Sequence, residues 1–562
     1  MDFLLALHSH LPYVLNHGRW PHGSDWICEA AVDTYLPLLE SLNGLETEGV
    51  PGPLTLGITP ILANQLGSQT FATELEAFFR QRFEACDEAI ASFEAEHELP
   101  LVAAAEFWRG RLNRLHRLFD RIGANIPAAF GHHESAGRIE LMSSAATHGF
   151  LPLLGREESI RLQLMVGRAE HERIFGRAPA GCWVPECAYR PRGPWHPHPQ
   201  ARYQAMRPGV EEFVGAAGFK YFFTDSHLAQ AGRPLGLYGE SALPEGFLLA
   251  EESPLDLPAA HSPYRTYQVY PRKGAPRVAT LVRDPRSSRQ VWSRYQGYPG
   301  DGSYLEFHKI RFPGGLKFWK VTGPNADLGD KDPYDPNGAR ARAHGHAGHF
   351  GWLLSDIEQG ERQQGGEVIV TPFDTELFGH WWFEGTDFLG DLYRAMAARG
   401  TPRPSTASDH LDRQPPVLAV ELAEGSWGAN GDFSKWLNPE TEWTWIKLWS
   451  AEDRFWDTVP AKLGHEETDS IIAQAGRELL LAQASDWQFI ISTGAAGDYA
   501  TTRFIGHLED FHRLMDALVG DGAARERGRA LAAELRERDD VFPNLLETLR
   551  QVVASEPAHL TA

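Results

Sequence analysis

The sequence predicts an α/β protein: a (β/α) barrel with an inserted helical region, followed by a C-terminal α-helical domain. Three observations point there. Short apolar runs recur and several end in polar residues, helical patterns lie between some of them, and from about residue 440 the apolar spacing becomes helical. Strand–helix alternation with chemistry at the C-terminal strand ends is how a barrel presents a site on its loops.

Taken in order, Phe3–Leu7 reads as a first strand ending at His8, and Leu54–Ile58 as a second ending at Thr59-Pro60. Ile139–Met142 ends near Thr147-His148, Cys182–Val184 at Glu186, and Tyr221–Phe223 at Asp225. Val368–Val370 leads to Asp374, and Val417–Val420 to Glu424-Gly425. Runs of this length bounded by polar residues favour strands, and seven or eight can be counted. Helical spacing over Ala30–Leu42, Phe71–Ala95, Glu158–Phe175 and Pro208–Ala217 supplies connections. Residues of about 66–135 are charged and helical and read as an insertion; about 227–350 is rich in Gly, Pro and Tyr and reads as long active-site loops. The barrel is placed over 1–405 and the helical domain over 406–562, with a Trp loop at 424–436 reaching the cleft. Ile471–Ala484, Phe504–Leu518 and Ala523–Arg538 carry that domain's 3.6-residue period.

Composition narrows the partners. A chain of 562 residues with 42% hydrophobic content is long enough for a large core. Its formal net charge of −22 disfavours nucleic acid, whereas a neutral polymer feels no repulsion. Seventeen Trp suit both core packing and sugar stacking. Cys28, Cys86, Cys182 and Cys187 are too few and scattered for a disulfide framework and read as buried thiols. Phe3–Leu7 lacks a basic flank before it, so a strand is read in preference to a signal peptide. No run of about 18 apolar residues is present to span a membrane. The expectation is a cytoplasmic protein, a monomer or weak homo-oligomer.

Two segments carry the chemistry. Trp183-Val184-Pro185-Glu186 and Thr371-Pro372-Phe373-Asp374-Thr375-Glu376 each put an acid after an apolar run and beside rings. One carboxyl can protonate a leaving oxygen while a second meets a cationic sugar. Taken singly, each could be an ordinary strand-end acid satisfied by a cap or an arginine. His8-Ser9-His10 would send both imidazoles to one side of a strand. Two readings compete for them: hydrogen bonds to sugar hydroxyls, or metal ligation with His148, Asp225, His227 and Asp374 conscripted. Glu424–Asn438 is Gly-rich but lacks the Lys-Ser/Thr of a phosphate loop; it offers Trp427 and Trp436 for stacking, with helix packing as the alternative for Trp436. Trp443, Trp445, Trp449 and Trp456 have helical spacing and read as core. His344, His346 and His349 read as solvated positions on a helix over 337–357.

These residues together resemble glycoside hydrolase family 57, most closely its α-glucan branching enzymes. His8-Ser9-His10-Leu11-Pro12-Tyr13, Glu140-Leu141 to Thr147-His148-Gly149, the Glu186 and Asp374 segments, and Glu424 to Trp445 are similar to five family motifs in family order. Leu11 stands where many members carry Gln. The resemblance implies a distorted, TIM-like (β/α)7 barrel and a retaining mechanism on α-1,4-glucans without metal or other cofactor. It implies Glu186 as nucleophile, Asp374 as general acid/base and Tyr238 on a covering loop. His10, His148 and Asp486 would bind substrate, with Trp26, Trp292, Trp427 and Trp436 along the glucan path. The expected product is an α-1,6 branch; 4-α-glucan transfer and amylase action are the alternatives within the family, and a metal-dependent barrel hydrolase is the alternative outside it.

Overall fold

Seven parallel strands form the barrel wall in the computed structural model, which describes residues 1–197, 206–231, the backbone of 233–237, 262–270, 275–292, 297–323 and 326–555. They are β1 (Asp2–Ser9), β2 (Thr55–Ile58), β3 (Glu140–Ser144), β4 (Gly181–Trp183), β5 (Tyr221–Thr224), β6 (Ala279–Val282) and β7 (Val368–Asp374). Each pairs with the next in chain order, Ala6 opposite Thr55, Thr55 opposite Glu140, Ser143 opposite Cys182, Cys182 opposite Phe222 and Tyr221 opposite Ala279. β7 runs along β1 from Asp2–Val368 to His8–Asp374. The ring closes where Arg283, just past β6, bridges Val370 of β7. That seam is thin because the same edge of β6 is taken by an antiparallel strand, Thr266–Val269. Leu418–Glu421 pairs parallel with Thr266–Val269 and antiparallel with the backbone of Arg233–Leu237.

Strand parity sorts the side chains. Leu4 and Ala6, Tyr221 and Phe223, Ala279 and Leu281, and Val368 and Val370 form one cluster with Met142 and Trp183, the filling of the barrel. The alternate residues Phe3, Leu5, Leu7, Phe222 and Ile369 join the larger cluster under the helices. Each fully buried Leu, Val or Phe in such a cluster contributes about 1.5–3 kcal/mol. His8 and Asp374 continue the inward parity of β1 and β7, so the pattern that fills the barrel also delivers them to its mouth.

Between β2 and β3 the chain inserts a helical hairpin, Gln69–Ala95 and Leu99–Arg121, followed by Ile126–Ser135. Ser68 starts it by accepting the Phe71 N–H at 3.1 Å. After the sheet come Glu442–Thr458, Glu466–Ala482, Asp486–Thr493, Gly497–Val519, Gly522–Arg538 and Leu545–Ala554. Trp445, Trp449 and Trp456 are buried there. The four cysteines are free and buried, and burial pushes the Cys86 thiol up to about 12. Among the described residues no helix is long and apolar enough to cross a membrane.

Three expectations are corrected. The stretch 227–350, read as loops, contains β6, Thr266–Val269 and the backbone strand Arg233–Leu237, because its Gly and Pro content hides short strands. The sheet runs on to Glu421, past the division expected at residue 405. His346 and His349 are not simply solvated: each Nδ1 lies 2.7 Å from a tyrosine hydroxyl, of Tyr304 and Tyr298 respectively.

Candidate active site

Glu186 sits on a tight turn directly after β4, with φ +59°, and Cys187 follows at +46°. Left-handed backbone at a bulky residue costs about 1–3 kcal/mol and persists only where surroundings impose it. The Trp loop imposes it here. Tyr189 and Gly425 exchange backbone hydrogen bonds at 2.8 and 3.0 Å, and Trp427 N–H donates to the Glu186 carbonyl at 3.1 Å. A side chain at Gly425 would place its Cβ 2.3 Å from the Gly431 carbonyl oxygen, so this close approach requires glycine. His227, in the short helix Ser226–Gln230 that follows β5, fastens the loop through Nε2 to the Gly431 carbonyl at 3.0 Å.

The Glu186 carboxyl is gripped from two sides. Trp427 Nε1–H donates to Oε2 at 2.8 Å and the Ser485 hydroxyl donates to Oε1 at 3.4 Å. Behind Ser485 runs a chain of rings. His148 Nδ1 lies 3.0 Å from Ser485 Oγ, and His148 Nε2 lies 2.9 Å from His8 Nε2. One tautomer set satisfies every link: His8 N–H to His148, His148 N–H to Ser485, Ser485 O–H to Glu186. His8 stacks on Trp183 with ring centres 4.6 Å apart, and His148 stacks under His10 at 4.1 Å. Burial, with the neighbouring imidazole of His10, holds His8 and His148 well below the usual histidine range, so both are neutral. His10 and His8 lie on one side as strand alternation requires, and His10 Nε2 meets Asp486 Oδ2 at 2.9 Å while Nδ1 meets the Thr59 hydroxyl at 3.0 Å.

Asp374 has the opposite surroundings. Among the described residues nothing hydrogen-bonds its carboxyl, whereas Glu376 and Glu186 surround it with like charge. Burial and then these two acids raise it well above the ordinary range, with Arg283 opposing them. Burial raises Glu186 to about 7, the Trp427 and Ser485 hydrogen bonds holding it down and Asp486 pushing it up. The two carboxyls are thereby separated in kind: one solvated by fixed donors, one bare. Glu376 itself accepts from the Tyr35 hydroxyl at 2.5 Å and from His10 N–H at 3.2 Å, and sits at about 7 through burial.

The other expected residues divide. Trp427 is half-buried at Glu186, its ring edge-on to Trp183 at 5.0 Å. Trp26 is half-buried against His22, and Trp292 is exposed, 6.5 Å from the Phe373 ring. Trp436 is a correction: it is 1% exposed and packs on Phe150 and Phe489. It braces the loop under Gly428 and presents no face to a sugar. His148 is also a correction as a substrate ligand, since it is buried and both ring nitrogens are engaged. Tyr238 lies outside the described residues. Ser485, Tyr35 and Arg283 carry no signal in the sequence; Ser485 stands 299 positions from the carboxyl it touches.

Among the described residues the acids and imidazoles at the mouth are not gathered into a cation set. Asp225 caps the helix Ser226–Gln230 and pairs with Arg283 at 3.1 Å. Among the described residues, donor atoms converge at His17/His507/Asp539, Glu29/Asp33/His380 and Glu76/His116/Asp120, none of which includes His8, His10 or Asp374. Arg538 lies on Asp539 in the first, and Lys317 lies 3.1 and 3.7 Å from Glu29 and Asp33 in the second.

Known proteins align with this arrangement. The sequence profile of glycosyl hydrolase family 57 matches residues 4–423, and that of the 1,4-alpha-glucan branching enzyme C-terminal region matches 447–548. A 1,4-alpha-glucan branching enzyme of Thermococcus kodakarensis is 39% identical over 540 residues, 96% of this chain and 76% of that protein. The crystal structure of a GH57-type branching enzyme from Pyrococcus horikoshii superposes with a TM-score of 0.88 at 37% identity, covering 99% of this chain and 97% of that one. An α-amylase of Thermotoga maritima gives 0.78 at 27% identity, with 99% of both chains covered.

Proposed function

The chain belongs to glycosyl hydrolase family 57, and from that premise we propose that it acts as a 1,4-α-glucan branching enzyme. It cleaves an α-1,4 bond and rejoins the released segment through an α-1,6 bond. One observation carries the division of labour: among the described residues the Glu186 carboxyl accepts two hydrogen bonds while the Asp374 carboxyl accepts none.

Glu186, ionised, attacks the anomeric carbon of the glucose at the bond to be cut. Asp374, protonated, gives its proton to the departing O4, and that C–O bond breaks as a glycosyl ester forms on Glu186. The 6-hydroxyl of an acceptor chain then attacks the same carbon, Asp374 takes its proton, and the ester breaks. Two inversions give net retention, which places the carboxyls about 5–5.5 Å apart when sugar is bound. Trp427 orients the nucleophile and offers its ring to the sugar. His10, held by Asp486, is the imidazole nearest the cleft. Tyr238, on a loop that would cover the ester, is assigned to water exclusion. Trp26 and Trp292 would extend the glucan path.

Water and the 4-hydroxyl of another chain are competing acceptors, and about 1.4 kcal/mol between barriers changes their ratio tenfold. The profile match over 447–548 and the higher identity to the branching enzymes favour the 6-hydroxyl. The substrate is a neutral α-glucan, acted on in the cytoplasm without a cofactor by a monomer or weak homo-oligomer. Incubation with amylose, followed by counts of reducing ends and of chains released by debranching, tests this. Branching predicts debranching-dependent chains with few new reducing ends; new reducing ends alone would reject it in favour of hydrolysis.

A further inference from the structure

A second cavity lies beside the Trp loop. It holds about 350 Å³, and Glu186, Asp374, Trp427 and His10 are not among its lining residues; small-molecule sites span roughly 300–1,000 Å³. The turn after β3 contributes Leu153, the segment after the Glu186 turn contributes Arg190 and His196, and the Trp loop contributes Glu424, Gly425 and Phe433. Phe433 is half-buried, its ring edge-on to Phe150 at 5.2 Å.

Two groups of opposite charge face this space without meeting. Arg190 is 7% exposed, a nearly buried cation. Among the described residues its guanidinium makes one hydrogen bond, a long one of 3.5 Å from Nη1 to the Gly193 carbonyl. A guanidinium carries five N–H donors. Those on Nε and Nη2 have no partner among the described residues and are not sealed from solvent, so they open onto the cavity. Glu424 acts on Arg190 more strongly than any other acid. Yet among the described residues the two form no ion pair, and the exposed Glu424 carboxylate accepts no hydrogen bond. A charge this deep is ordinarily paired; here the space between the partners is the cavity. Asp432, the other acid there, has Oδ1 occupied by the Ser434 N–H at 2.9 Å and the Ser434 hydroxyl at 2.6 Å.

The arrangement selects the ligand. An anion drawn to Arg190 would meet Glu424 and Asp432, and a cation drawn to those acids would meet Arg190. A hydroxyl accepts from a guanidinium and donates to a carboxylate at once. The apolar wall of Leu153, Phe433 and Leu437 suits the C–H faces of a sugar ring. We infer that this cavity is a second saccharide site, seating glucosyl units between Arg190 and Glu424. That the saccharide is an α-glucan rests on the function proposed above. Such a site keeps a long chain on the enzyme while the barrel works on another stretch, raising its effective concentration. Its occupant also rests on the loop that holds the Glu186 turn, since Gly425 lines the cavity and bonds to Tyr189.

Hydrogen exchange of the full chain carrying Glu186→Gln, with and without maltotetraose, tests the assignment. The expected result is slower exchange across 150–155 and 190–197, with at least a tenfold loss of affinity there when Arg190→Gln is added. His196→Trp, at an exposed rim position, obstructs the cavity and serves if Arg190→Gln does not fold. In the chain with Glu186 intact it should raise KM for amylose several-fold at unchanged kcat, and leave KM for a short glucosyl fluoride where it was. No slowing in these segments, slowing by inorganic phosphate or glycine in place of the sugar, slowing that survives both substitutions, or an unmoved KM for amylose would overturn the site. Failure of the branching reading would appear separately in the product analysis, because exchange requires no turnover.

Discussion

The two strand ends that carry the carboxyls are built by different means. Asp374 is delivered by its own strand: inward parity along β7 continues from Val368 and Val370, and the register with β1 sets it opposite His8. Glu186 is delivered by a left-handed turn that β4 alone would not adopt, clamped by a loop from beyond residue 423 and by Ser485 from the helical region. The first position is local and cheap; the second is borrowed. The difference also sets the chemistry, since the clamped carboxyl receives donors that favour its anion and the unclamped one is left to hold a proton.

The largest effects should separate the two roles. Asp374→Ala should lose about 10²–10⁴-fold in rate, the usual contribution of general acid–base catalysis, and Glu186→Ala should fall below detection. With an activated α-glucosyl substrate and azide, the Glu186 variant should yield the β-glycosyl azide and the Asp374 variant the α-anomer, read by NMR. The same anomer from both would erase the distinction.

Next come substitutions that loosen the clamp without touching the carboxyl. Gly425→Val forces the loop off Gly431 and should cost more than tenfold in kcat while leaving the barrel folded by circular dichroism. Trp427→Phe keeps a ring but removes the N–H on Glu186 Oε2. Losing a hydrogen bond to a charged group costs about 1.5–3 kcal/mol, so Glu186 should ionise at higher pH and the acid limb of kcat/KM should move up by about one unit or more. An unmoved limb would deny the clamp its electrostatic role.

A smaller effect lies in stability. Glu186 is raised from 4.5 to about 7 in the folded chain, so the unfolded chain ionises first as pH rises. The stability tied to its neutral form is complete below about pH 4.5 and is lost as pH climbs toward 7. Glu186→Gln should therefore gain relative to the parent across that window, by up to about 3 kcal/mol, with little difference below it. Thermal melts at pH 4 and pH 7.5 check this. Chelation should produce the smallest effect of all, no measurable change in branching rate.

How much was legible follows the same division. Seven strand runs and both acids could be read because each is announced locally, by an apolar run that stops at a polar residue. β6 and Thr266–Val269 could not, because they sit in a Gly- and Pro-rich stretch whose composition reads as loop. Trp436 was misplaced for a physical reason: a tryptophan that stacks on sugar and one that braces a loop look the same in sequence, and only burial tells them apart. The His8–His148–Ser485 chain joins three distant segments by ring and hydroxyl contacts, which no spacing rule records.

The most direct test of the account is to trap the ester. Treating the protein with a fluorinated α-glucosyl fluoride that stalls the second step, then mapping the label by peptide mass spectrometry, should find the sugar on Glu186. Label on Asp374, or unlabelled protein that still consumes the reagent, would contradict it.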